Sequence, residues 1–225
     1  MLRMEKVSKT FYAGTINEKK AIRNLDLHLL PGEFVTVIGG NGAGKSTVMN
    51  LVAGAFPCDE GRVLLDGKDI TLWPEHRRAK LLGRVFQDPL LGTAGGLSIE
   101  ENLSMAARRG AHRGLGWYIH PEERERYKEQ LAKLELGLEG RLSAKVRLLS
   151  GGQRQALTLL MATLQKPRLL LLDEHTAALD PKTARKVLEL TEELVTGQKL
   201  TTLMVTHNMR DALRYGSRLL MMHEG

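Results

Sequence analysis

The sequence predicts an α/β fold with a largely parallel sheet, and three observations carry that expectation. Short apolar runs at 34–38 and 169–172 have the length of buried strands, helical patterns follow them, and a glycine cluster stands between the first run and its helix. Strand and helix then alternate again toward the C-terminal end.

In chain order, Ala21 to Leu30 place Leu25, Leu27 and Leu29 at period two, the mark of a half-buried strand, and Pro31-Gly32 closes it with a turn. Phe34 to Ile38, FVTVI, reads as a strand buried on both faces, and STVMNLVAG from Ser46 as the helix after it. Between about Pro89 and Lys166 strand signals vanish, and SIEENLSMAARR, PEERERYKEQLAKLEL and GGQRQALTLLMATL read as helices. Leu169 to Leu172, Thr202 to Val205 and the terminal RLLMM read as further strands. The helix from Pro181 to Val195 has chemical support as well as period. Asp180 can cap it, proline suits a first helical position, and Ala184, Val187, Leu188, Thr191, Leu194 and Val195 share one face. The expected organisation is one domain over 1–225, in which 1–88 and 167–225 form the core and 89–166 an inserted helical subdomain.

Composition narrows the class. With 42% apolar and 26% charged residues over 225 positions, disorder, collagen and disulfide scaffolds fit poorly. The longest stretch free of charged residues, Ser46 to Cys58, is thirteen residues, short of the roughly 20 that span a bilayer as helix. The charged start, MLRMEKVSKTF, is not a secretory signal, so a cytosolic chain is expected. The single cysteine, Cys58, agrees with a reducing compartment and reads as a small packing residue. Lys plus Arg number 33 against 26 Asp plus Glu, a net charge of +7 that invites a nucleic-acid reading. The basic residues are scattered among acids, and the one tight cluster, Arg108 to Arg113, lacks interleaved aromatics, which argues against it.

Three strings carry chemistry. GGNGAGKS, Gly39 to Ser46, has the phosphate-loop pattern: Gly39, Asn41, Gly42, Ala43 and Gly44 would turn backbone N–H groups toward phosphates, and the loop opens a helix whose dipole favours an anion. Lys45 would reach the β and γ phosphates, Ser46 would bind Mg²⁺ through its hydroxyl, and Thr47 would add a phosphate contact. LLLLDEH ends a buried strand at Asp173, which places that acid at the carboxyl edge of the sheet as the second metal-side group. Glu174, next along, suits a general base for the attacking water. These residues describe a P-loop NTPase. The third string, LLSGGQRQ at Leu148 to Gln155, opens a helix and is itself a candidate anion site.

With that string, the whole chain resembles the ATP-binding subunit of an ABC transporter. The resemblance implies an antiparallel β subdomain near the N-terminus and a helical subdomain carrying the signature. It also implies a head-to-tail dimer in which Ser150, Gly151, Gly152 and Gln153 of one subunit cover the ATP on the phosphate loop of the other. Phe11, with Tyr12 as a substitute, corresponds to the aromatic that stacks on adenine, and Gln87 in VFQDP to the glutamine that meets Mg²⁺ and water and relays occupancy to the membrane partner. Asp180, closing TAALD, corresponds to the interface loop, and His207 to the histidine at the γ phosphate. The implied activity is ATP hydrolysis at the cytoplasmic face of the membrane, driving solute transport through separate permease subunits. Import of an amino acid or related small solute delivered by an extracellular binding protein is the expected direction. A switch or scaffold of a membrane complex, of the division or lipoprotein-release kind, is the alternative, and Glu174 argues against a module that binds without hydrolysing. The chain departs from the family pattern twice. His175 stands where most members have proline, and the pattern continues past Met222 with another strand and helix, so a trimmed end and a weakened dimer are expected.

Overall fold

The computed structural model describes residues 1–110 and 119–225, so Ala111 to Arg113 of the basic cluster lie outside the described residues. Nine strands are described: β1 (Leu2–Phe11), β2 (Lys19–Leu29), β3 (Phe34–Gly39), β4 (Glu60–Leu65), β5 (Lys68–Asp69), β6 (Leu82–Val85), β7 (Leu169–Asp173), β8 (Thr201–Val205) and β9 (Arg218–Met222). The described helices are α1 (Lys45–Ala53), α2 (Glu75–Arg78), α3 (Ile99–Ala107), α4 (Pro121–Ala132), α5 (Gly151–Thr163), α6 (Pro181–Gln198) and α7 (Met209–Tyr215). A sheet in the order β6-β7-β8-β3-β9 is parallel throughout, and a second, antiparallel sheet has the order β2-β1-β4-β5. Helices α3 to α5 fall within 89–166, where among the described residues the β pairing is a lone bridge between Ser98 and Lys145.

The parallel sheet is covered on both faces, and side-chain alternation sorts its residues between two cores. Leu170 and Leu172 join Phe34, Val85 and Met204 under α5 and α6, whereas Leu169 and Leu171 join Val35, Val37, Leu203 and Val205 under α1 and the antiparallel sheet. All four β7 leucines are fully buried, each contributing about 2 kcal/mol of apolar burial. That is why this strand reads as an unbroken leucine run.

Helix ends follow local chemistry. Asp180 caps α6 by accepting from the Lys182 and Thr183 N–H groups, with Pro181 in the first turn, and the helix runs beyond Val195 to Gln198. Ser98 with Glu101 closes α3 in a capping box, and Ser150 with Gln153 does the same for α5.

Two strands escape the period-two pattern for identifiable reasons. In β1 the inward positions are Leu2, Met4 and then Val7, because a bulge at Lys6 (φ 49°) shifts the alternation by one. In β6, LGRV, the glycine is required by close packing, since a Cβ on Gly83 would stand 2.6 Å from the Ala162 carbonyl at the end of α5. The final residues brace the loop after β3: Gly225 N–H donates to the Ala43 carbonyl at 3.1 Å, and its own carbonyl accepts from Arg23 N–H at 2.9 Å.

Candidate functional site

The carboxyl ends of β3, β7 and β8 lie at one edge of the parallel sheet, where ligands of such sheets bind. The loops leaving them wall a cavity of about 290 Å³. Phe11, Lys19 and Ala21 of the antiparallel sheet form one side, Asn41 to Thr47 the floor, and Glu174 and His207 the rest.

The floor is shaped by backbone. Gly44 is the N-cap of α1 at φ 104°, and a Cβ there would stand 2.7 Å from the Ala21 carbonyl. Gly39, at φ 152°, would place a Cβ 2.4 Å from the Met222 carbonyl. No side chain caps α1, so its first-turn N–H groups are left to an anion. Lys45 is 5% exposed and its Nζ donates to the Gly39 and Gly40 carbonyls at 2.9 and 3.0 Å. An ammonium has three donors, so one remains for a phosphate oxygen.

On the opposite side, Glu174 has φ 46°, a left-handed angle costing on the order of 1 kcal/mol for a residue with a Cβ. Its N–H donates to the Val205 carbonyl at 3.0 Å, and its Oε1 lies 2.6 Å from His207 Nε2. The pair brings a carboxylate and an imidazole to the rim of the phosphate loop. Asp173, one residue earlier, is half-buried at the end of β7, with Arg84 of β6 3.8 Å from its carboxylate. Burial raises the Asp173 pKa above the ordinary carboxylate value; Arg84 and Lys45 oppose that, and Glu174 adds to it. Arg84 also donates to Asn50 Oδ1 of α1 at 2.7 Å and stacks over Phe86 at 4.5 Å. Burial lowers its own pKa.

Of the remaining expected residues, Phe11 lines the cavity and the others lie outside it. Phe11 faces the cavity and packs edge-on against Phe56 at 5.3 Å, whereas Tyr12 is 71% exposed and does not line it. Gln87 is exposed just after β6, outside the cavity wall, and Asp180 is exposed at the start of α6. Ser150 and Gly151 are exposed at the start of α5, and Gly152 is buried against α6. The Gln153 side chain is committed within the chain, accepting from Ser150 N–H and donating to the Leu136 carbonyl. A single chain therefore keeps the signature residues apart from the cavity. His175 is buried to 2% and packs under α6.

Lys19 and Arg84 were missed from the sequence. Lys19 pairs with Phe11 across the β1–β2 hairpin, and its Nζ lies 3.4 Å from where a Cβ on Gly42 would stand. A pairing register would have found it; spacing along the chain does not.

The sequence profile described as ABC transporter matches residues 22–177. The chain belongs to the ABC transporter family, as an ATP-binding cassette. A tyrosine transport ATP-binding protein of Clostridioides difficile is 44% identical over all of this chain and 89% of its own length. A thiamine import ATP-binding protein of Yersinia pseudotuberculosis is 36% identical over 89% of this chain and 80% of its own. A dimeric cassette in a post-hydrolysis state with ADP and Pi bound superposes with a TM-score of 0.83 at 30% identity, covering 100% of this chain and 95% of that one. This ABC cassette is an ATPase of the kind that powers transport, and the relatives it matches are named as ATP-binding proteins of transport and import systems. Among the described residues no helix is long and apolar enough to cross a membrane.

Proposed function

We propose that this cassette hydrolyses Mg-ATP between two copies of itself, at the cytoplasmic face of the membrane, to drive import of an amino acid or related small solute. The observation that carries the reading is the convergence of the phosphate loop, Glu174 and His207 on one cavity. Backbone N–H groups from Gly39, Asn41, Gly42, Ala43 and Gly44, with Lys45 and Thr47, hold the phosphates, and Phe11 meets the adenine. Glu174 takes the proton of the attacking water, and His207 both orients that carboxylate and faces the γ phosphate. Ser150, Gly151, Gly152 and Gln153 of the second copy, at an exposed helix end, complete the enclosure, with Asp180 beside the interface. Among the described residues no three carboxylate, histidine or cysteine groups form a cage for a metal ion. Ser46, Asp173 and Gln87 are the hard oxygen donors that would hold Mg²⁺ with the phosphates completing its shell, and the ion would neutralise phosphate charge.

The permease partner is supported by a groove of about 410 Å³ between β6, α3 and α5, bordered by Phe86, Leu91, Met105 and Met161. Leu91 is 70% exposed there and the adjacent Leu90 54%, apolar surface suited to a short helix of a membrane subunit. The proposed helical subdomain at 89–166, within which α3, α4 and α5 fall, would be the part that meets this partner. Amino-acid cargo is supported by the 44% identity to a tyrosine transport subunit, above the 36% shared with thiamine and phosphonate import subunits. An extracellular solute-binding protein would supply it.

The test is the Glu174→Gln variant. Its ATPase rate is expected to fall to background while light scattering shows an ATP-dependent dimer; a parent-like rate removes Glu174 as base. For cargo, the cassette is reconstituted with candidate permease subunits and a solute-binding protein, and its ATPase rate is measured with each solute. Stimulation of ATPase by thiamine and not by aromatic amino acids overturns the amino-acid assignment.

A further inference from the structure

The left-handed backbone of Glu174 persists only where its surroundings impose it. On one side the sheet does so: Asp173 pairs with Val205, whose carbonyl accepts from the Glu174 N–H. On the other side stands His175, whose Nε2 lies 3.1 Å from Thr191 Oγ1 on α6. The Thr191 hydroxyl has a single proton, and it goes to the Val187 carbonyl at 2.8 Å. The histidine is therefore the donor, which sets its tautomer as Nε2–H. Proline at 175 would offer Thr191 no donor and would push the preceding residue toward extended conformations.

We propose that His175 is a positioning residue for ATP hydrolysis: its hydrogen bond to Thr191 ties the loop after β7 to α6 and so keeps Glu174 in the conformation that sets its carboxylate against His207. The proposal rests on Glu174 being the general base. His175→Phe keeps the packing volume and removes the donor. His175→Gln keeps an N–H able to reach the same acceptor, and Thr191→Val removes the acceptor.

Steady-state ATPase kinetics of the purified chain test it. In His175→Phe, kcat is expected to fall about ten- to hundredfold, the scale on which small misplacements of a catalytic group act, with KM for ATP within about twofold of parent. His175→Gln should recover most of that loss, and the double variant His175→Phe with Thr191→Val should be no slower than His175→Phe alone. A parent-like kcat in His175→Phe, an equal loss in His175→Gln, or a fall that only tracks the folded fraction by circular dichroism overturns the proposal. Ring nitrogen spectra give a readout independent of activity: the Nε2–H form is expected for His175 at neutral pH, and the Nδ1–H form overturns the assignment. Glu174→Gln, run alongside, separates the two readings. If it hydrolyses ATP at the parent rate, the base reading fails and takes this proposal with it; if it is inactive while His175→Phe is unimpaired, only the positioning role fails.

Discussion

Two helix starts in this chain both follow the pattern of an anion site, yet they are built in opposite ways. Helix α1 begins at a left-handed glycine, has no side-chain cap, and keeps Lys45 buried beside its own loop carbonyls. Helix α5 begins at Ser150, whose Oγ accepts from Gln153 N–H while Gln153 Oε1 accepts from Ser150 N–H. The first end therefore leaves its N–H groups to an incoming anion. The second is already satisfied in part and stands exposed as a stable helix end. On the function proposed above, the first end would be completed by nucleotide, and the second would keep its shape until a second copy meets it.

The largest expected difference separates the two ends outright. Lys45→Ala should weaken ATP binding by at least about a hundredfold, the effect of losing a buried charged contact, while Ser150→Ala leaves binding to the monomer within about twofold. Titration with a fluorescent ATP analogue measures both, and equal losses would break the contrast.

The packing beneath α5 comes next. A Cβ on Gly152 would stand 2.1 Å from Thr183 Cγ2 at the start of α6. Gly152→Ala should cost about 1–3 kcal/mol in urea unfolding, and adding Thr183→Ser should return most of it.

The two regions should also differ in their response to acid. His175 lies beneath the nucleotide end, and its folded pKa of about 4 is below the ordinary value of 6.5. The unfolded chain then binds more protons between those values, so stability is lost as pH falls through that window. Between pH 7 and pH 5 the parent should lose about 2 kcal/mol more than His175→Phe does. Ser150→Ala, which removes no titrating group, should lower the whole curve by about 1 kcal/mol without changing its slope. A slope that changes in Ser150→Ala, or persists unchanged in His175→Phe, would erase the distinction.

The local chemistry of the chain was legible from residues alone. Contiguous strings announce the phosphate loop, the acidic strand end at Asp173 and the capped start of α6, because each depends on neighbours a few positions apart. Strand β1 was hidden by a one-residue bulge, and β6 by a glycine that serves packing against α5.

What only tertiary structure decided are the relations between distant segments. The 2.6 Å meeting of Glu174 with His207, the place of Lys19 beside Gly42, and the Arg84 bridge from Asp173 to Asn50 all depend on strand order and register in two sheets. That Phe11 and not Tyr12 lines the cavity, and that His175 is buried against Thr191, depend on the same tertiary relations. The physical reason is range. Backbone propensity, capping and glycine freedom act within a turn or two of chain, whereas a pair such as Glu174 and His207 is held by hydrophobic cores that join residues far apart in sequence.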